Sequence, residues 1–266
     1  MKGKRLDQRL FELGLAESRE KAKATIMSGL VYVNGQKSDK PGTPVGDDAK
    51  IEVRGNACPY VSRGGFKLEK ALRVFDIDPT GKVCIDCGAS TGGFTDVLLK
   101  NGAAKVYAVD VGYGQLAWSL RTDERVVVME RTNARSLTPD MFPERMSLAV
   151  MDLSFISIRL VLPSVHTLLA PGGEAVCLIK PQFEAGKADV GKKGVVRDRA
   201  VHERVLEEMC AFFPTAGYVL RGLDYSPIRG PEGNIEYLAW LGTDGEGITP
   251  DIAALVAASH GELDKT

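Results

Sequence analysis

The chain has 266 residues, 44% apolar and 26% charged, the balance of a soluble globular protein with room for one ordinary domain and a small appendage. The formal net charge of −1 hides a split: residues 1–70 hold 14 Lys and Arg against 9 Asp and Glu, and the remainder holds 20 against 26. An odd count of five cysteines disfavours a disulfide framework, and neither a signal peptide nor a run of roughly 18 apolar residues is present, so the reading is cytoplasmic with no membrane partner.

In chain order, Leu6, Leu10 and Leu13 recur at helical spacing, which predicts a short amphipathic helix stopped by Gly14. Ser18 is placed to cap a second helix, with Ala22 and Ile26 turned inward and Gly29 at its end. Residues 30–33 then read as a strand, Asn34-Gly35 as a tight hairpin turn and residues 51–53 as another strand. Arg5 with Arg9, and Arg19 with Lys23, are i, i+4 pairs, so each pair is expected to share one helix face. Paired cations on two helices beside a small sheet make a cradle for phosphates, although a solvated charged face accounts for the charge equally well.

These residues carry a resemblance. Arg5-Leu6-Asp7, Ser18-Arg19-x-Lys21-Ala22 and Gly29-x-Val31-x-Val33-Asn34-Gly35 resemble the S4-type RNA-binding domain. The likeness implies structured RNA as partner, with Arg5, Arg9, Arg19, Lys21 and Lys23 as contacts and Arg63 as a further candidate. A short linker over residues 54–60 closes this part, giving an expected division into 1–60, a main domain over 61–246 and a tail over 247–266 that is given no role.

The main domain opens with Ser62-Arg63-Gly64-Gly65 and a helix whose apolar face is Leu68, Ala71, Leu72 and Phe75. Strands are predicted at 83–87, 105–110, 126–130, 148–152, 174–180, 218–224 and 235–241, mostly alternating with helical patterns, which is an α/β arrangement with a largely parallel sheet. The connection over 225–234 is too short for a crossover, so the last strand must run antiparallel. Cys84 and Cys87 fall on opposite faces of their strand and are read as core rather than metal ligands.

The turn Asp86-x-Gly88-Ala89-Ser90-Thr91-Gly92-Gly93-Phe94 joins a strand to a helix, where glycines let a ligand approach backbone N–H groups. It is neither G-x-G-x-x-G nor a P-loop, but it does match the G-x-S-x-G nucleophile elbow of a hydrolase. That rival needs a histidine on a late loop, whereas His166 and His202 lie in helical patterns and His260 in the tail. Asp110 at the tip of the next strand suits the ribose of an adenosine cofactor and favours S-adenosylmethionine. Asp152 and Lys180 end later strands, Glu236 begins the reversed one, and Lys67 stands in a helix's first turn, where the helix dipole disfavours a cation. All four fall on one sheet edge and could align and deprotonate a ribose hydroxyl.

Lys67, Asp152, Lys180 and Glu236 resemble the Lys-Asp-Lys-Glu tetrad of FtsJ-type ribose 2′-O-methyltransferases, whose class I fold is a seven-stranded Rossmann-like sheet. With the S4-like front end the order resembles the TlyA (hemolysin A) family. Ser62-Arg63-Gly64-Gly65-x-Lys67, Asp152-Leu153-Ser154-Phe155-Ile156-Ser157, Lys180-Pro181-Gln182-Phe183-Glu184 and Gly230-Pro231-x-Gly233-Asn234-x-Glu236 carry that likeness. It implies S-adenosylmethionine-dependent methylation of cytidine 2′-hydroxyls in ribosomal RNA or ribosomal subunits, without a metal. The implied cofactor set is Asp86, Gly88, Ala89, Ser90, Gly92, Gly93, Phe94, Asp110, Val111, Asn133 and Asp152, and the loop over 185–199 is a candidate to close over RNA. A non-enzymatic ribosome-assembly factor and a membrane-lytic protein are the alternatives.

Overall fold

In the computed structural model, which describes residues 3–16, 18–54 and 58–264, the chain forms two units, Met1–Arg63 and Gly64–Thr266. In the first, β1 (Lys4–Arg5) leads directly into α1 (Leu6–Glu12), and α2 (Arg19–Met27) follows with the Ser18 hydroxyl accepting from the Lys21 N–H. β2 (Val31–Val33) turns at Asn34 and Gly35, both at positive φ, into β3 (Gln36–Lys37). β4 (Pro44–Val45) pairs with β1, and β5 (Ile51–Val53) pairs with the other side of β2.

Leu6, Leu10, Ala22, Ile26, Val31 and Val45 form the core of this unit. Leu13 does not join them. The helix stops at Glu12, so Leu13 is its C-cap and stands 45% exposed, and the inward stripe shortens to Leu6 and Leu10. Arg5 likewise precedes the helix in β1, so it shares no helix face with Arg9, whereas Arg19 and Lys23 do both lie on α2.

The second unit begins with α3 (Gly65–Val74), which buries Leu68, Ala71 and Leu72. Then come β6 (Val83–Cys87), α4 (Gly93–Lys100), β7 (Lys105–Val109), α5 (Trp118–Arg121), β8 (Val126–Met129) and β9 (Met146–Met151). α6 (Leu162–Leu168), β10 (Leu169–Ile179), α7 (Pro181–Glu184) and α8 (Arg199–Phe212) lead to β11 (Val219–Tyr225), β12 (Tyr237–Gly242) and α9 (Ile252–Leu263). The seven strands lie in the order β11-β12-β10-β9-β6-β7-β8. β12 is antiparallel to both neighbours, while β10, β9, β6, β7 and β8 are mutually parallel.

The near-continuous apolar strands are those of a sheet covered on both faces. Cys84 and Cys87 are buried free thiols, and burial pushes the Cys84 thiol up to about 12. The tail is a helix capped by Asp251, and Val256 and Leu263 of that helix join the main core.

Candidate active site

Ligands of open α/β sheets gather beyond the carboxyl ends of the parallel strands. Asp110 follows β7, Asp152 follows β9 and Lys180 follows β10, while Glu236 immediately precedes the reversed β12 and so reaches the same edge. Lys67 joins them from the first turn of α3.

The four charged groups alternate in sign. Lys67 Nζ lies 3.0 Å from Asp152 Oδ2 and 2.7 Å from Glu236 Oε2. Lys180 Nζ lies 2.5 Å from Asp152 Oδ1 and 3.9 Å from Glu236 Oε1, and it donates to Ser154 Oγ at 3.2 Å. Burial and the helix dipole both work against a charge on Lys67, yet Asp152 and Glu236 outweigh them and hold its pKa above the usual lysine value. Burial likewise works against the Asp152 carboxylate, and Lys67 and Lys180 overcome it to keep its pKa below the ordinary range.

Two glycines make this packing possible. Gly88, at φ +87, passes so close to the next strand tip that a Cβ would sit 2.7 Å from the Asp152 carbonyl oxygen. A Cβ on Gly230 would sit 2.5 Å from Glu236 Oε1. The loop carrying Gly230 is wound around Glu236, with the Ser226 N–H donating to the Glu236 carbonyl at 2.8 Å.

Beside the tetrad opens a cleft of about 430 Å³ lined by Gly88, Ser90, Asp110, Val111, Asn133 and Asp152 of the anticipated cofactor set. Asp110 Oδ2 accepts from the Ser90 N–H at 2.8 Å and Oδ1 from the Gly112 N–H at 2.6 Å, which leaves each oxygen a lone pair for a ribose hydroxyl. Asp86, Ala89, Gly92, Gly93 and Phe94 are not among the lining residues. Asp86 is fully buried behind the turn, accepts from Thr95 Oγ1 at 2.7 Å, and its Oδ1 has no partner among the described residues. Burial pushes its carboxyl up to about 7. At Gly92, with φ +98, a Cβ would meet the side chains of Leu120 and Leu116, so a glycine there lets the turn lie close to α5.

Ser90 has the positive φ of a strained turn (+49), but its Oγ has only Gln115 nearby, at 3.5 Å. The histidines are engaged elsewhere: His202 bonds Tyr237 and Val196, His260 bonds Asp264, and His166 stacks edge-on against Tyr218. No serine–histidine couple is assembled among the described residues.

The loop after Asp152 carries part of the family likeness, but the sequence pattern assigns its residues no place in the cleft. Leu153, Ser154, Phe155 and Ile156 all line the cleft. Phe155 adopts φ +64 and is 93% exposed, its ring 5.5 Å from that of Phe183, which itself lies 6.0 Å from Lys180 Nζ. An aromatic held out in water beside a polar centre is a platform for a flat ligand.

In the first unit, Arg5 and Arg19 converge on the buried carboxylate of Asp7 at 3.0 and 3.3 Å while remaining half-exposed. Burial opposes ionisation of Asp7, and Arg5 and Arg19 outweigh it to hold the pKa low. Arg9 turns away, donating to the Asp47 carbonyl and pairing with Glu12. Lys21, Lys23 and Arg63 are exposed. The loop over 185–199 is exposed at Lys187, Lys192, Lys193 and Arg197 but anchored by Asn234, which accepts from the Val196 N–H and donates to the Gly194 carbonyl.

A parallel sheet with a reversed strand, a glycine turn facing an acid-tipped strand and a Lys-Asp-Lys-Glu edge define a class I methyltransferase of the FtsJ-like kind, and the FtsJ-like methyltransferase family matches residues 60–243. The S4 domain family matches residues 4–51. The chain belongs to the TlyA family. It is 48% identical to the 16S/23S rRNA (cytidine-2′-O)-methyltransferase TlyA of Mycobacterium tuberculosis (strain ATCC 25618 / H37Rv), over 90% of each chain. It is 57% identical to YqxC of Bacillus subtilis (strain 168), described as a candidate rRNA methyltransferase, over 92% of this chain and 88% of that one. The solved structure of a Streptococcus thermophilus protein described as a candidate hemolysin superposes with a TM-score of 0.80 at 47% identity, covering 100% of this chain and 98% of that one.

Proposed function

We propose that this chain methylates ribose 2′-hydroxyls of cytidines in ribosomal RNA. The observation that carries the reading is the alternating Lys67–Asp152–Lys180–Glu236 quartet, which Asp152 joins to the cleft that it also lines. The chemistry of the cleft supports S-adenosylmethionine as its ligand: Asp110 faces it with carboxylate lone pairs, and Gly88, Ser90, Val111, Asn133 and Asp152 form its walls. Bound there, the cofactor supplies an activated sulfonium methyl group.

The chain's residues then have separate tasks. Lys67 stays protonated between Asp152 and Glu236. The Lys180 amine takes up the 2′-hydroxyl proton as the oxygen–carbon bond forms and the carbon–sulfur bond of the methyl donor breaks to leave a neutral thioether. Asp152 and Glu236 hold both amines in place, and Phe155 offers its exposed face to the acceptor base. Arg5, Arg19 and Lys23 of the S4 domain contact the RNA backbone.

The test is transfer of labelled methyl from S-adenosylmethionine to purified ribosomal subunits and to naked rRNA, by wild type and Lys180→Ala. We expect transfer by the wild type and a loss of about 10²- to 10⁴-fold in the variant, the usual worth of a positioned proton acceptor. Equal transfer by Lys180→Ala overturns the role of Lys180. No transfer by the wild type favours a non-enzymatic RNA-binding role.

A further inference from the structure

We infer that Glu184 is a positioning residue that fixes the Phe155–Phe183 platform on the acceptor side of the site, an inference that rests on the reading of RNA as methyl acceptor. Glu184 closes α7, the short helix that follows Lys180, and its side chain is only 1% exposed. It reaches across to the loop that follows Asp152. There it accepts from Ser157 Oγ at 2.6 Å and from the Ile158 N–H at 2.9 Å, and Arg159 Nε lies 3.7 Å away. One carboxylate thereby ties the segment after β9 to the segment after β10, the two strands whose tips carry Asp152 and Lys180.

The clamp sits where it controls the aromatic pair. Phe183 precedes Glu184 on the same short helix, and Ser157 lies two residues beyond Phe155. Between Asp152 and Ser157 the loop has no helix or strand ladder to hold it. Phe155 nonetheless keeps a left-handed backbone that L-residues adopt only when their surroundings over-determine it. Two hydrogen bonds from adjacent residues to one buried carboxylate supply that constraint. A buried carboxylate is costly unless its lone pairs are used, and these are used on this loop. Burial raises the Glu184 pKa, so the neutral isostere glutamine is a mild replacement there: its amide oxygen can accept from Ile158 and its amide nitrogen can donate to Ser157 Oγ.

The experiment compares Glu184→Ala and Glu184→Gln in the full chain by steady-state methyl transfer, calorimetric S-adenosylmethionine titration and hydrogen exchange of the peptide spanning residues 153–158. For Glu184→Ala we expect KM for rRNA to rise about tenfold, with kcat and cofactor affinity each within about threefold, and faster exchange confined to that peptide. Glu184→Gln should restore all four readouts to within about threefold of wild type. A merely structural role would lower the active fraction while leaving KM unchanged, and that outcome overturns the inference, as does unaltered exchange in Glu184→Ala. If the wild type transfers no methyl group, the functional reading fails on its own, and the exchange comparison still decides whether Glu184 fixes this loop.

Discussion

At the scale of single residues, Gly230 is a position where an added methyl group would press directly on a member of the tetrad. Glu236 is fully buried and held by its backbone, so it has nowhere to go if Gly230 gains a methyl group 2.5 Å from its Oε1. Gly230→Ala must therefore push the carboxylate off Lys67 or move the loop, at a cost of about 1–3 kcal/mol for overpacking. We expect methyl transfer to fall at least tenfold while S-adenosylmethionine affinity, read by calorimetry, stays the same, because Gly230 does not line the cleft. Equal activity would mean that the tetrad tolerates a displaced Glu236. The tetrad itself was legible in the sequence because strand tips mark an edge: a charged residue ending an apolar run has few other places to be. Phe155 was not legible. In sequence an aromatic beside Ile156 looks like core, and nothing in residue type announces a left-handed backbone or an outward ring.

The elements were read correctly wherever periodicity or apolar runs were strong, and less well where tertiary packing decides. The helix over 252–263 has a buried stripe of Val256, Ser259, His260 and Leu263, but small residues all round it left its docking face unreadable. That face meets a buried polar chain: Ser259 Oγ lies 3.2 Å from Tyr237 Oη, Tyr237 Oη 2.8 Å from His202 Nδ1, and His202 Nε2 3.1 Å from the Val196 carbonyl, with His260 beside His202. Burial pushes the His202 pKa from 6.5 down to about 4, against the opposing hydrogen bond to the Val196 backbone and the pull of Asp198 and Asp264. His202 is thus neutral in the folded protein, while the unfolded chain takes up its proton below about pH 6.5. The unfolded state binds more protons between these values, so stability should fall as pH drops from about 6.5 toward 4 and level off below. The full difference is worth on the order of 3 kcal/mol. Urea unfolding at a series of pH values checks this: His202→Gln should flatten that part of the profile, and an unchanged profile would assign the effect to other groups.

For the whole molecule, the charge split of the sequence falls on two units of different chemistry, a cationic S4 domain and an acidic methyltransferase domain. Charge counting could not show that the cations of the first unit are unequal. Arg5 and Arg19 are both bound to the buried Asp7, whereas Arg9 donates to the Asp47 carbonyl and pairs with Glu12. Reversing the charge at Arg19 would therefore do two things at once, removing an RNA contact and leaving Asp7 short of a partner, with a folding cost of the kind that follows an unpaired buried carboxylate. Lys23, exposed on α2 on the same helix as Arg19, is the cleaner probe. Lys23→Glu should weaken rRNA binding several-fold at low salt and lower the slope of log affinity against log salt by about 1, since one phosphate contact and its released counterion are lost. Its thermal midpoint and S-adenosylmethionine affinity should match the wild type. Filter binding across roughly 50–200 mM salt reads the slope. An unchanged slope would remove Lys23 from the RNA face, and a slope change accompanied by lost cofactor affinity would mean that the front end acts on the methyltransferase domain and not on RNA alone.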